Sequence, residues 1–171
     1  MSSSTEKFLL DANVFIEASN RYYSFDLCPG FWRAVKIEHK NGNMLSISKV
    51  KNEIVVKSDG LSMWAKKTIP SSFFIPVDDK QVIAKYSEII NWVDTKRQFR
   101  TFAKAEFAQG ADGWLIAYAS VNDFDVITQE KYDPDTRKRV PIPNVCKEFK
   151  VNFLNTFEML TKLNVAFVLE K

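Results

Sequence analysis

The run Phe8-Leu9-Leu10-Asp11-Ala12-Asn13 restricts the fold more than any other stretch of this chain. Three large apolar residues near the start, stopped by a carboxylate and then an amide, read as a strand buried on both faces. Such a strand opens a parallel sheet. Open α/β sheets take their ligands beyond the carboxyl ends of their strands. Asp11 and Asn13, with only Ala12 between them, would leave that end facing one cleft. Asp11 is therefore the first candidate for an acidic site.

The rest of the chain alternates in the same way. Val14 to Asn20 reads as a short helical segment, and Phe31 to Glu38 as a helix stopped by Asn41-Gly42-Asn43. Met44 to Ile47 is a second strand. Ser48 is an N-cap for a helix over Lys49 to Lys57 whose inner edge carries Glu53, and Asp59-Gly60 ends it. Leu61 to Lys67 reads as helix, Phe73 to Ile75 as a short strand or apolar connector. Val82, Tyr86, Ile89, Ile90 and Val93 recur at helical spacing within Asp78 to Thr95. Ala111 to Ser120 is an apolar helix with Asp112 in its first turn, and Val126-Ile127-Thr128 a buried strand running out into Gln129-Glu130. Ile142 to Lys150 is helix, Val151 to Leu154 strand and Phe157 to Lys162 a helix capped by Asn155-Thr156. Val165 to Leu169 is an edge strand or a packed tail. Strands separated by helices imply right-handed crossovers, a parallel sheet and an α/β fold.

Composition narrows the chemistry. A length of 171 residues with 46% hydrophobic side chains supports one domain over 1–171 with a sizeable core. No apolar run approaches the roughly 20 residues of a membrane span, and the first residues lack the apolar stretch of a secretory signal. The expectation is a soluble, cytoplasmic protein without membrane contact. Cys28 and Cys146 stand isolated and read as reduced thiols. His39 is the single histidine, so histidine-based zinc sites and Ser-His or Cys-His nucleophiles are poorly supplied. Catalysis in such a chain rests on carboxylates. The net charge of +3 permits a polyanionic partner without demanding one.

Four carboxylates hold comparable positions: Asp11 after a strand, Glu53 on a helix, Asp112 at a helix start and Glu130 after a strand. Strand ends and helix starts share one edge of a parallel sheet, so the four can converge. Singly, each has an ordinary explanation; Asp112 suits the helix dipole, and Glu53 lies four residues from both Lys49 and Lys57. Together they need a counter-charge, and magnesium or manganese is the natural partner of an all-oxygen site. Such a site polarises phosphoryl oxygens, which suits phosphodiester hydrolysis.

These residues resemble the PIN-domain nucleases, the fold of VapC-type toxins. The resemblance lies in Phe8 to Phe15, in Val50-x-x-Glu53-Ile54, in Ala111-Asp112-Gly113-Trp114-Leu115-Ile116-Ala117 and in Val126-Ile127-Thr128-Gln129-Glu130. Asp26 to Trp32 and Asn155 to Leu160 are similar to a little-characterised PIN-like bacterial subgroup. The likeness implies a three-layer α/β/α sandwich around a parallel sheet, with a divergent helical region around 59–108. It implies a metal-dependent endoribonuclease acting on RNA, with Asp11, Glu53, Asp112 and Glu130 as catalytic metal ligands for Mg2+ or Mn2+. Asn13 and Thr128 would be supporting polar groups. Glu130 stands where the family more often has aspartate, and the resemblance leaves open whether it would bind the metal directly or through water. For a toxin, the family implies a cognate antitoxin and is compatible with a homodimer. The loop from Lys131 to Arg139 lies beside Glu130, so Lys131, Arg137, Lys138 and Arg139 are candidates for phosphate contacts.

Two other readings compete. A PIN-like module without catalysis would bind RNA or protein. Leu9-Leu10-Asp11-Ala12-Asn13-Val14 also resembles the first motif of haloacid-dehalogenase-type phosphatases, with Asp11 as nucleophile. That family expects a second aspartate where this chain has Asn13, and gives Glu53 no part.

Overall fold

The computed structural model describes residues 6–169. Five strands form one parallel sheet: β1 (Phe8–Leu10), β2 (Met44–Ile47), β3 (Phe74–Ile75), β4 (Asp125–Ile127) and β5 (Phe153–Leu154), in the order β3-β2-β1-β4-β5. β1 is central, with Phe8 opposite Met44 on one side and Asp125 on the other. All three of its residues are fully buried, as a strand covered on both faces requires. The chain winds outward from β1 to β2 and β3, then crosses back to β4 and on to β5. The order therefore reverses between β1 and β4, and their carboxyl ends diverge into a crevice at that point.

Helices flank the sheet. α1 (Ala12–Glu17), continued by a π-helical turn over Ala18–Tyr22, and α2 (Pro29–Lys40) link β1 to β2. α3 (Ser48–Ile54) and α4 (Gly60–Met63) lead towards β3. α5 (Lys80–Thr95), α6 (Thr101–Gln109) and α7 (Asp112–Asn122) form the long crossover to β4, α5 and α6 both packing on α7. α8 (Ile142–Phe149) joins β4 to β5, and α9 (Thr156–Lys162) follows. This is the three-layer α/β/α arrangement expected, and Phe74–Ile75 is a true edge strand rather than a connector.

Some boundaries differ from expectation for local reasons. β2 turns straight into α3, so Ser48 is its first helical residue and Ile47 occupies the cap position without a side-chain bond. The helix stops at Ile54, before the β-branched pair Val55-Val56. Asp59 does not end it; its carboxylate accepts the Ser62 amide proton at 2.9 Å and caps α4. The segment after α9 forms no strand within the described residues. It is a packed tail, with Phe167 lying on Tyr23 and against Gly30.

The aromatic residues after α1 belong mostly to the core. Tyr23 stacks on Phe31 at 4.7 Å, and Phe25 on Trp32 at 4.1 Å. Phe99 and Phe107 are buried, while Phe102 is exposed. His39 is structural: its ring bonds the Met44 carbonyl and the Ser72 hydroxyl. No helix among the described residues is long and apolar enough to cross a membrane.

Candidate active site

At the β1–β4 crevice the backbone fixes two groups at once. The Asp11 amide continues the ladder by donating to Ile127 at 2.9 Å, and Thr128 extends the neighbouring strand by donating to Leu154. Asp11 and Thr128 thus emerge side by side, and the Thr128 hydroxyl donates to Asp11 Oδ2 at 3.1 Å. Asp11 is only 2% exposed. Burial is the largest influence on its carboxyl, which is raised to about 7; Glu130 pushes the same way, Thr128 and the Ala12 amide resist, and Glu53 adds a little.

Glu53 reaches the crevice from α3 by tying itself to α7. Its Oε1 accepts the Ala111 amide proton at 2.9 Å, one of the orphan donors at that helix start. The bond brings Asp112, the first residue of α7, beside Glu53. The Asp112 carboxyl is raised well above the ordinary range, first by burial and then by Asp11, Glu130 and Glu53, with Arg139 opposing. The four expected carboxylates therefore share one electrostatic neighbourhood although they come from four separate segments.

Glu130 sits differently from the others. One oxygen pairs with Arg139, and the other accepts the Ile142 amide proton at 2.8 Å, at the start of α8. Its backbone amide donates to the Thr128 hydroxyl. Glu130 is a clasp between the strand end, the following loop and the next helix. The loop itself is anchored. Gln98 donates to the Pro134 and Thr136 carbonyls, and Asp133 and Asn144 exchange two hydrogen bonds. Lys131, Arg137 and Lys138 are exposed on it.

Asp11, Asn13, Glu53, Glu106, Asp112, Glu130 and Arg139 line one cleft of about 230 Å3. Glu106, on α6, is an acid that the sequence disguised: Lys96, Arg97, Arg100 and Lys104 interleaved with Phe99, Phe102 and Phe107 read as a solvated basic helix face over a buried aromatic face, or as an RNA-contacting surface, and neither reading picks out an acid. Among the described residues, Arg139 is the one cation lining the cleft, against five carboxylates. Among them too, no three His, Cys, Asp or Glu side chains are drawn together tightly enough to hold an ion between them. Cys146, on α8 behind the cleft, is no nucleophile: burial pushes its thiol far up, and Asp112 and Glu130 add to this.

No curated protein matches the chain. Among solved structures, it is similar to the crystal structure of FitAcB from Neisseria gonorrhoeae. The TM-score is 0.53 and the identity 17%, over 88% of this chain and 98% of that one. At that identity the likeness carries the fold alone, which is PIN-like. A family model described as "Domain of unknown function (DUF4411)" matches residues 8–167, and the chain belongs to that family.

Proposed function

We propose that this protein is a metal-dependent endoribonuclease that hydrolyses RNA phosphodiester bonds at the β1–β4 crevice. The observation that carries the reading is the pair Asp11 and Asp112: one buried and one half-buried carboxylate, both with raised pKa values, lining a cleft where acids outnumber the single guanidinium. Such a cluster is stable either protonated or with a cation, and its donors are all oxygen, the set that suits Mg2+ or Mn2+. Asp11 and Asp112 would hold the ion. Magnesium is commonly bound by one or two carboxylates with water and substrate phosphate completing the shell, so a tight protein cage is not required. When bound, it would neutralise the acids and polarise a phosphoryl oxygen.

The chain's own residues take the remaining roles. The Thr128 hydroxyl orients Asp11. Glu53 uses one oxygen on Ala111, which leaves the other to take a proton from the attacking water. Arg139 neutralises charge at the rim and, released from Glu130, contacts the phosphate. Glu130, with both oxygens engaged inside the chain, positions Arg139 and α8. The motif resemblance supports a toxin role with a cognate antitoxin as partner. A phosphatase using Asp11 as nucleophile also calls for a lysine at the site, and none lines the cleft among the described residues.

Purified protein incubated with unstructured RNA should cleave with Mg2+ or Mn2+, stop with chelator, and lose at least a hundredfold in rate as Asp11→Asn or Asp112→Asn. No cleavage with either metal, together with no metal binding by calorimetry, would leave a PIN-like binding module. Cleavage that survives both substitutions would place the chemistry elsewhere.

A further inference from the structure

A larger cavity, of about 660 Å3, lies beside the acid cleft. The two are joined by a third depression that shares Asn13, Glu130 and Arg139 with the cleft, and Glu17, Gln129, Glu130 and Lys131 with the larger cavity. Glu130 lines all three, so they form one trench that starts at the carboxylates. Its far end is aromatic. Tyr22 is 50% exposed, Phe157 47% and Tyr132 44%, and all three line the cavity. Tyr22 meets Phe157 edge to face, with centroids 5.7 Å apart and planes at 79°, so the two rings make a corner open to solvent.

Both rings stand on fixed supports. Tyr22 ends the π-helical turn that continues α1. Phe157 is in the first turn of α9, which a reciprocal capping box between Asn155 and Glu158 secures. Rigid, half-exposed aromatic rings with polar neighbours are the platforms on which unpaired bases stack. Gln129 adds an amide to the wall, its NH2 group donating to Thr156, and Lys131 stands where the aromatic cavity joins the middle depression.

From this we infer that the Tyr22–Phe157 corner is a nucleobase-stacking subsite for a nucleotide flanking the scissile phosphate of single-stranded RNA. The inference rests on the nuclease reading and deepens it. On that reading, a ligand that fills the trench meets the carboxylates through the ion they would hold, which calls for a phosphate there, and offers a flat apolar face one cavity away. A nucleotide with a splayed base has that form, whereas in a duplex the base faces are already stacked. Stacking of this kind tolerates sequence, so the subsite selects unpaired RNA rather than a particular base.

The test is binding of a labelled, unstructured oligoribonucleotide by fluorescence anisotropy, with Ca2+ in place of Mg2+ or Mn2+ so that the acids keep a counter-charge while cleavage is suppressed. Its counterpart has an abasic residue at successive positions, and cleavage kinetics with metal run alongside. Tyr22→Ala and Phe157→Ala should each weaken binding about tenfold, the worth of one base stack, and raise KM more than they lower kcat. Tyr22→Trp should restore binding, and the preference for the base-bearing over the abasic strand should vanish in Tyr22→Ala. Folded alanine variants that bind and cut like the parent, with the abasic preference intact, overturn the subsite and leave the nuclease reading standing. A parent protein that neither binds nor cleaves RNA overturns both.

Discussion

Asp11 shows what burial does to a single carboxyl. Its folded value is raised to about 7 from 3.8, so between those values the folded state holds a proton that the unfolded chain has released. The stability due to the neutral form is complete below the unfolded value and is lost as the pH rises through about 7. Asp112 is shifted in the same direction. Metal-free protein should therefore melt at progressively lower temperature as the pH rises from about 5 to about 8. Manganese should flatten that slope by replacing the proton as counter-charge, and Asp11→Asn should reduce it without any metal. Scanning calorimetry across the pH series, with chelator and with Mn2+, reads all three. A slope untouched by Asp11→Asn would mean that other groups set the pH dependence.

The start of α7 carries Asp112 and, through the Ala111 amide, holds Glu53, and the packing of this helix turns on a glycine. A Cβ on Gly113 would come 3.0 Å from a ring carbon of Tyr86 and 3.2 Å from one of Phe107. Tyr86 cannot easily retreat, because its ring stacks on Trp114 at 3.7 Å and its hydroxyl donates to the Ala108 carbonyl. Gly113→Ala gains roughly 0.5–1 kcal/mol in helix preference but costs roughly 1–3 kcal/mol in overpacking. The second effect wins, and chemical denaturation should show a net loss of about 1 kcal/mol. The helix itself was legible, since Leu115, Ile116, Ala117 and Ala119 form an apolar face that is buried as expected. Its attachment to α3 was not. The Glu53–Ala111 bond joins residues 58 apart through a backbone amide, which carries no side-chain signature. The same holds for Ile142, whose amide occupies Glu130, and for Glu106, whose neighbours Lys104 and Phe107 pointed to a different pattern.

Across the whole molecule, the sheet was readable because each strand ends in a change of character: Leu10 to Asp11, Ile47 to Ser48, Ile127 to Thr128. The two-residue strands β3 and β5 were harder, since so short a run shows no period, and β5 begins two residues later than the apolar pattern suggests. The fold turns the face carrying Lys131, Arg137 and Lys138 towards solvent beside an acidic cleft. Reversing these three charges to glutamate should weaken RNA binding and make it less sensitive to salt, by about one unit of slope for each phosphate that the variant no longer neutralises. Unchanged affinity and slope in a salt titration would restrict the loop to its structural bonds. The strand order has one more consequence. Asp11 is made early, but its wall partners Thr128 and Glu130, and the Ile142 amide that holds Glu130, come more than a hundred residues later. A ribosome must deliver nearly all of this chain before the cleft can close. Whatever the cleft does, a polypeptide that stops short of Ile142 cannot do it.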